Sequence, residues 1–144
     1  MFNLNGKVAV ITGGGGLLGK MHAEAIEEAG GTAYLTDIDG SCTYMDVTNK
    51  SSIEKVANSL DRVDILINNA ALNPKMVTQG NNKFENLSLD QWNKSIQVNL
   101  TGAFLCSQVF IKKMVEHNIK GVVVNIASDL GVIAPDQRIY KNDV

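Results

Sequence analysis

The stretch ITGGGGLLGK (Ile11–Lys20) sets four consecutive glycines between an apolar run and the start of a helical pattern. Glycine loses more backbone freedom on folding than any other residue, so such a run needs a reason. A ligand that must come close to the backbone is one. The start of a helix offers unpaired N–H groups and the positive end of its dipole, which suit a phosphate. The dipole contributes about 0.3–1 kcal/mol to a bound anion, up to ~2 when partly buried. A sharp strand-to-helix turn would also use glycine, so the residues around the run decide the reading.

Upstream, Val8–Thr12 (VAVIT) is predicted as a fully buried strand. Downstream, Leu18, Met21, Ala25, Ile26 and Ala29 fall at helical spacing, which predicts a helix over Leu18–Ala29 stopped by Gly30 and Gly31. Further strands are predicted at Ala33–Thr36, ending at Asp37, and at Thr43–Val47, Asp64–Asn68 and Gly121–Ala127. Asn49–Asp61 is predicted helical, with Ser51 and Glu54 spaced as a capping box. Ser88–Asn118 is predicted as one long helix opened by a Ser88–Gln91 box. Its expected inner face runs through Leu89, Trp92, Ile96, Asn99, Leu100, Ala103, Phe104, Ser107, Phe110, Ile111 and Met114. Pro74–Asn86 is polar and expected to be irregular. Strand–helix alternation of this kind predicts an α/β fold: a doubly wound parallel sheet in three layers, α/β/α. The length suits one domain over residues 1–144.

Only the five residues Ile38–Cys42 separate the second and third strands, too few for a crossover helix. An irregular, extended loop is expected there. Asp37 closes the second strand beside the glycine turn. A carboxylate in that place accepts both hydroxyls of an adenosine ribose and repels a 2′-phosphate. The pair of features points to a dinucleotide or nucleoside, with NAD(H) preferred to NADP(H).

The formal charge of −2 leaves no basic surplus for nucleic acid or an anionic membrane. No apolar run approaches the length of a membrane span. The N-terminus MFNLNGKVAV does not read as a signal peptide. Cys42 and Cys106 form no disulfide framework and are expected to be buried thiols of a cytoplasmic protein. No His/Cys/Asp cluster has metal-ligand spacing, so no metal site is expected. His22 and His117 are expected to serve packing or solvation.

Several short motifs together resemble the short-chain dehydrogenase/reductase family across nearly the whole chain. TGGGGLLG (Thr12–Gly19) is similar to that family's TGxxxGxG, with Leu17 where the middle glycine would stand. Gly16, beside it, is expected to take over the close approach. Asp46 and Val47, then NNAA (Asn68–Ala71, against the family's NNAG), VNLTG (Val98–Gly102) and NIAS (Asn125–Ser128) follow in the family's order. The resemblance implies a Rossmann-type sheet and hydride transfer between a nicotinamide and a hydroxyl or carbonyl of a small molecule. It implies catalytic roles for Asn99 and Ser128. It implies cofactor contacts from Gly13, Gly15, Gly16, Leu17, Leu18, Gly19, Asp37, Ile38, Asp46, Val47, Asn69, Ala70 and Ala71. Homodimers or homotetramers are implied through the long helix. A narrower likeness, in NNAALNPK and NIASDLGVIAPDQRIY, is to oxidoreductases of surface-sugar and flagellin modification; it implies a sugar or nucleotide-sugar substrate.

The same resemblance implies a tyrosine acid/base with a lysine four residues on, which would lower a phenol pKa that starts near 10. Tyr140 is the one tyrosine after Ser128, and four residues on stands Val144. Either Tyr140 works without the lysine, or the chain stops before the pair; the second reading is preferred, because the family's last strands and helices are also missing. A dinucleotide-binding module without catalysis stays open beside the enzyme. A methyltransferase, which shares the glycine loop and the acid, is opposed by the NNAA, VNLTG and NIAS segments.

Overall fold

In the computed structural model, residues 2–72 and 86–133 are described. Most of the polar stretch after Pro74, and Tyr140, lie outside the described residues. The strands are β1 (Val8–Thr12), β2 (Thr32–Asp37), β3 (Thr43–Tyr44), β4 (Ile65–Asn68) and β5 (Val122–Asn125). They form one parallel sheet in the order β3-β2-β1-β4-β5. The helices are α1 (Leu17–Glu28), α2 (Lys50–Ser59), α3 (Leu89–Ile96) and α4 (Ala103–Glu116). None among the described residues is long and apolar enough to cross a membrane.

The central strand explains the layers. Successive strand residues face opposite sides of a sheet. Val10 and Leu66 turn to one side, where Ile53, Val56, Cys106, Val109, Phe110 and Met114 of α2 and α4 pack on them. Ile11 and Ile67 turn to the other, against Ala23 of α1. Because both faces of β1 are covered, its sequence is apolar throughout rather than alternating.

Several local expectations are corrected. The loop Ile38–Cys42 does not run the length of a strand. β3 pairs only with the last two residues of β2, Thr36 with Thr43 and Asp37 with Tyr44, so the chain simply folds back. β3 is therefore two residues long, not five. α2 is capped by Asn49, whose Oδ1 accepts from the N–H groups of Ser51 (3.0 Å) and Ser52 (3.3 Å), and not by a Ser51–Glu54 box. The Ser88–Gln91 box is present at the start of α3.

The long helix is interrupted by a π-helical segment, Gln97–Gly102. A wider turn changes the angular phase of every side chain beyond it. The residues of α4 that reach the sheet are Cys106, Val109, Phe110 and Met114. Leu89, Trp92, Ile96, Leu100, Phe104 and Ile111, expected on the inner face, are exposed instead. Burial pushes the Cys106 thiol up to about 12. Cys42 is only partly buried, against expectation.

Asp64 ties the bottom of the sheet together. Its carboxylate is almost fully buried, and it accepts from Arg62 (2.6 and 2.7 Å), Lys7 Nζ (3.1 Å) and the Val8 N–H (3.0 Å). The Arg62 guanidinium, with help from Val8 and Lys7 and against the cost of burial, holds its carboxyl well below the usual carboxylate range. A carboxyl depressed in the folded state stabilises above its unfolded pKa of about 3.9, and that contribution fades as pH falls. Asp64→Asn should therefore cost about 2–3 kcal/mol at pH 7 in urea unfolding. The gap from wild type should close progressively below about pH 4. A gap that stays constant down to pH 2 would contradict this.

Candidate functional site

The turn between β1 and α1 is built on Gly13. Its φ is +65°, and a Cβ there would lie 2.7 Å from Ala70 Cα. Gly19 allows the second close approach: a Cβ would lie 2.5 Å from the Gly13 carbonyl oxygen and 2.6 Å from Gly14 Cα, so α1 folds directly over the turn. Both are demands of packing. Gly16, the N-cap of α1, is different. Its backbone is extended (φ −73°, ψ 170°), and a Cβ would meet only the Gly13 oxygen, at 3.4 Å. No side chain caps α1. A cap residue would fit there, and the N–H groups of the first turn stay available.

Thr12 joins this turn to β4. Its Oγ1 accepts from the N–H groups of Asn69 (3.0 Å) and Ala70 (2.9 Å) and donates to the Ile67 carbonyl (3.4 Å). Asn69 answers with its side-chain amide, donating to the carbonyls of Thr12 (2.9 Å) and Gly13 (3.0 Å). The side chain of Asn69 is thus spent on holding two strand ends together.

Gly13, Gly16, Leu17, Leu18, Asp37, Ile38, Asp46, Val47, Asn69, Ala70 and Ala71 line one cleft of about 370 Å³ at the carboxyl ends of the strands. Gly15 and Gly19 do not line it. Gly15 instead donates its N–H to Asp37 Oδ2 (3.0 Å), while Asp37 Oδ1 accepts from the Ile38 N–H (2.7 Å). Leu17 is the first residue of α1 and 79% exposed at the mouth. On the far wall, Asp46 Oδ1 accepts from both the N–H (2.8 Å) and the hydroxyl (2.7 Å) of Thr48.

Met45, Thr48 and Val98 complete the lining and were not foreseen. Thr48 could have been found from its place two residues after Asp46, the spacing of an Asx turn. Val98 stands in the VNLTG segment but reaches the cleft only through the fold. The π segment approaches closely here, since a Cβ on Gly102 would lie 2.8 Å from Val47 Cγ2.

Asn99 and Ser128 lie outside this lining. The Asn99 side chain makes a two-way pair with the Leu72 backbone, accepting its N–H at 2.7 Å and donating to its carbonyl at 3.1 Å. It thereby fixes the chain just after β4. Ser128 opens a 3₁₀ turn after β5, its hydroxyl 3.2 Å from Asp129 Oδ1 and its carbonyl accepting from Gly131 N–H at 3.0 Å. Behind both, Asn68 donates to Asn125 Oδ1 (2.8 Å) and Ser107 Oγ (3.0 Å), joining β4, β5 and α4. No group of three or more His, Cys, Asp or Glu among the described residues could hold a metal ion.

Known proteins resemble this chain in sequence and in fold. An NAD-dependent glycerol dehydrogenase of Listeria innocua is 33% identical over 156 aligned residues, covering 96% of this chain and 59% of that protein. A 3-oxoacyl-[acyl-carrier-protein] reductase of Aquifex aeolicus is 30% identical, over 89% of this chain and 58% of that protein. A crystal structure of a short chain dehydrogenase from Leptospira borgpetersenii with bound NAD+ superposes with a TM-score of 0.83 at 30% identity, over 96% of this chain and 57% of that one. The chain thus spans about three fifths of the length of the curated relatives it matches. The short chain dehydrogenase family model matches residues 7–140, and the chain belongs to that family.

Proposed function

We propose that the cleft binds NAD(H) and that the chain carries the cofactor-binding part of an oxidoreductase acting between hydroxyl and carbonyl groups. The observation that carries this reading is the placement of Asp37 at the end of β2, on the same cleft as the uncapped start of α1. A diphosphate needs free N–H groups, and Leu17 and Leu18 in the first turn of α1 offer them. An adenosine ribose needs an acceptor for two hydroxyls, and Asp37 is one. Asp46 and the Val47 backbone would flank the adenine, with Ala70 and Ala71 further along the cleft. A nicotinamide bound there supplies a hydride donor or acceptor.

In this reading the chain's own residues position and shield. Ser128 orients the substrate oxygen by hydrogen bonding. Asn99 holds the Leu72 backbone against the π segment, and so keeps the far end of the cleft in register. The substrate is a small hydroxyl or carbonyl compound; the motif likeness favours a sugar or nucleotide sugar. The exposed stripe Trp92, Ile96, Leu100 and Phe104 is proposed to bury against a second copy.

Gly16→Asp tests the open helix start. The carboxylate fits the cap position and should stabilise the fold slightly, by about 0.5 kcal/mol. It should also compete with a diphosphate for the same N–H groups and weaken NADH binding at least tenfold by calorimetric titration. Unchanged NADH affinity in a folded variant would count against a diphosphate at this turn.

A further inference from the structure

We propose that a second copy of the chain braces the cleft through the π segment Gln97–Gly102, so that pairing of copies and cofactor binding strengthen each other. The proposal rests on the NAD(H) reading of the cleft and adds how that site is regulated.

The six residues of the segment serve two surfaces. Val98 is half-buried and lines the cleft. Asn99 accepts the Leu72 N–H at 2.7 Å and donates to its carbonyl at 3.1 Å, one residue beyond Ala71 of the lining. Gly102 is buried against Val47, another lining residue, where a Cβ would lie 2.8 Å from Val47 Cγ2. Between these contacts Leu100 is 65% exposed and does not line the cleft. A π turn is wider than the α-helical turns on either side of it, and such segments concentrate at functional sites.

Leu100 does not stand alone. Trp92, Ile96, Leu100, Phe104, Ile111 and Val115 follow one another at helical spacing, all are exposed, and no charged residue interrupts the row. They leave roughly 600 Å² of apolar surface per copy open to water, most of the ~800 Å² per partner that a stable interface buries. An uninterrupted apolar row on one helical stretch matches a copy of itself across a two-fold axis. A charged or strongly polar partner would find nothing on it to bond. A second copy is therefore the occupant.

Burial of Leu100 from outside and contact of a cofactor with Val98 from inside restrict the same six residues. The first event bears the entropy cost of fixing them, and the second is spared it. Coupling of this kind is reciprocal and spans about 5- to 150-fold in affinity. The amides of Gln97–Gly102 should therefore exchange more slowly with solvent in the paired chain even without NADH.

The test is sedimentation of the 144-residue chain over a dilution series with and without NADH, beside calorimetric titration with NADH at both ends of that series. NADH should bind about fivefold more tightly at the concentrated, paired end than at the dilute end. Saturating NADH should tighten pairing about 25-fold, because each pair holds two clefts. Ile111→Lys lies outside the cleft lining and more than two turns beyond the π segment. It should sediment as a single copy and bind NADH with the dilute wild-type affinity at every concentration. The proposal is overturned if the wild-type chain stays a single copy throughout, or if it pairs while its NADH affinity stays within twofold along the series. It is also overturned if Ile111→Lys pairs as wild type does, or loses pairing without weakening NADH binding. Should Ile111→Lys fail to fold, the wild-type series decides alone. A wild-type chain that pairs but binds no NADH overturns the cofactor reading, and this proposal with it.

Discussion

Asp37→Ala should weaken NADH binding about 30–100-fold while the protein stays folded. Asp37 is half-buried, and its carboxylate holds two backbone N–H groups, those of Gly15 and Ile38, at the mouth of the cleft. A ribose arriving there replaces solvent and offers two hydroxyl donors to an acceptor already fixed in place. Hydrogen bonds to an ionised group contribute about 1.5–3 kcal/mol each, less than additively when shared on one carboxylate. A net loss of 2–3 kcal/mol is the expected cost, and about 1.4 kcal/mol corresponds to tenfold in affinity. The folded state loses only partly exposed partners, so circular dichroism and the unfolding midpoint should change little. A loss of less than threefold would mean that the ribose is not held at this strand end.

Gly13→Ala should instead cost the fold about 3–4 kcal/mol. The left-handed backbone alone costs a residue with a Cβ about 1–2 kcal/mol. The added methyl would also press on the Ala70 backbone, with Cα at 2.7 Å and N at 3.0 Å, and on the Asn69 amide at 3.1 Å. Ala70 cannot retreat, because its N–H is bonded to Thr12 and the Asn69 side chain is bonded to Gly13 itself. Urea unfolding would show the drop as a lower midpoint at unchanged slope. A loss below 1 kcal/mol would show that the turn adapts. The comparison with Gly16→Asp separates a glycine the fold needs from one the fold merely tolerates.

Much of the architecture is legible in the residues because two local signals agree. VAVIT is apolar on both faces, as a central parallel strand must be, and the glycines that follow permit the tight, left-handed turn into α1. Asp37 stands out as the acid that ends the neighbouring strand. What is not legible depends on phase and register. The length of β3 follows from pairing with only the last two residues of β2, which no periodicity reports. The inner face of α4, which follows the π segment, is rotated from the expected one: Phe104 and Ile111 turn outward and Cys106 and Val109 turn in, while Phe110 and Met114 stay inside. Thr12 and Asn69 read as parts of motifs, yet their bonds to one another's backbones are visible only once β1 and β4 lie side by side. Val98 reaches the cleft by the same long-range route.

The most direct test of the cleft as an NAD(H) site is to follow backbone amide NMR signals of the 144-residue chain while NADH is added. The account predicts that the largest shifts fall on Gly13, Gly15 to Leu18, Asp37, Ile38 and Val47, and that they saturate together with one affinity. Saturable shifts centred elsewhere, or none at all in a folded sample, would contradict it.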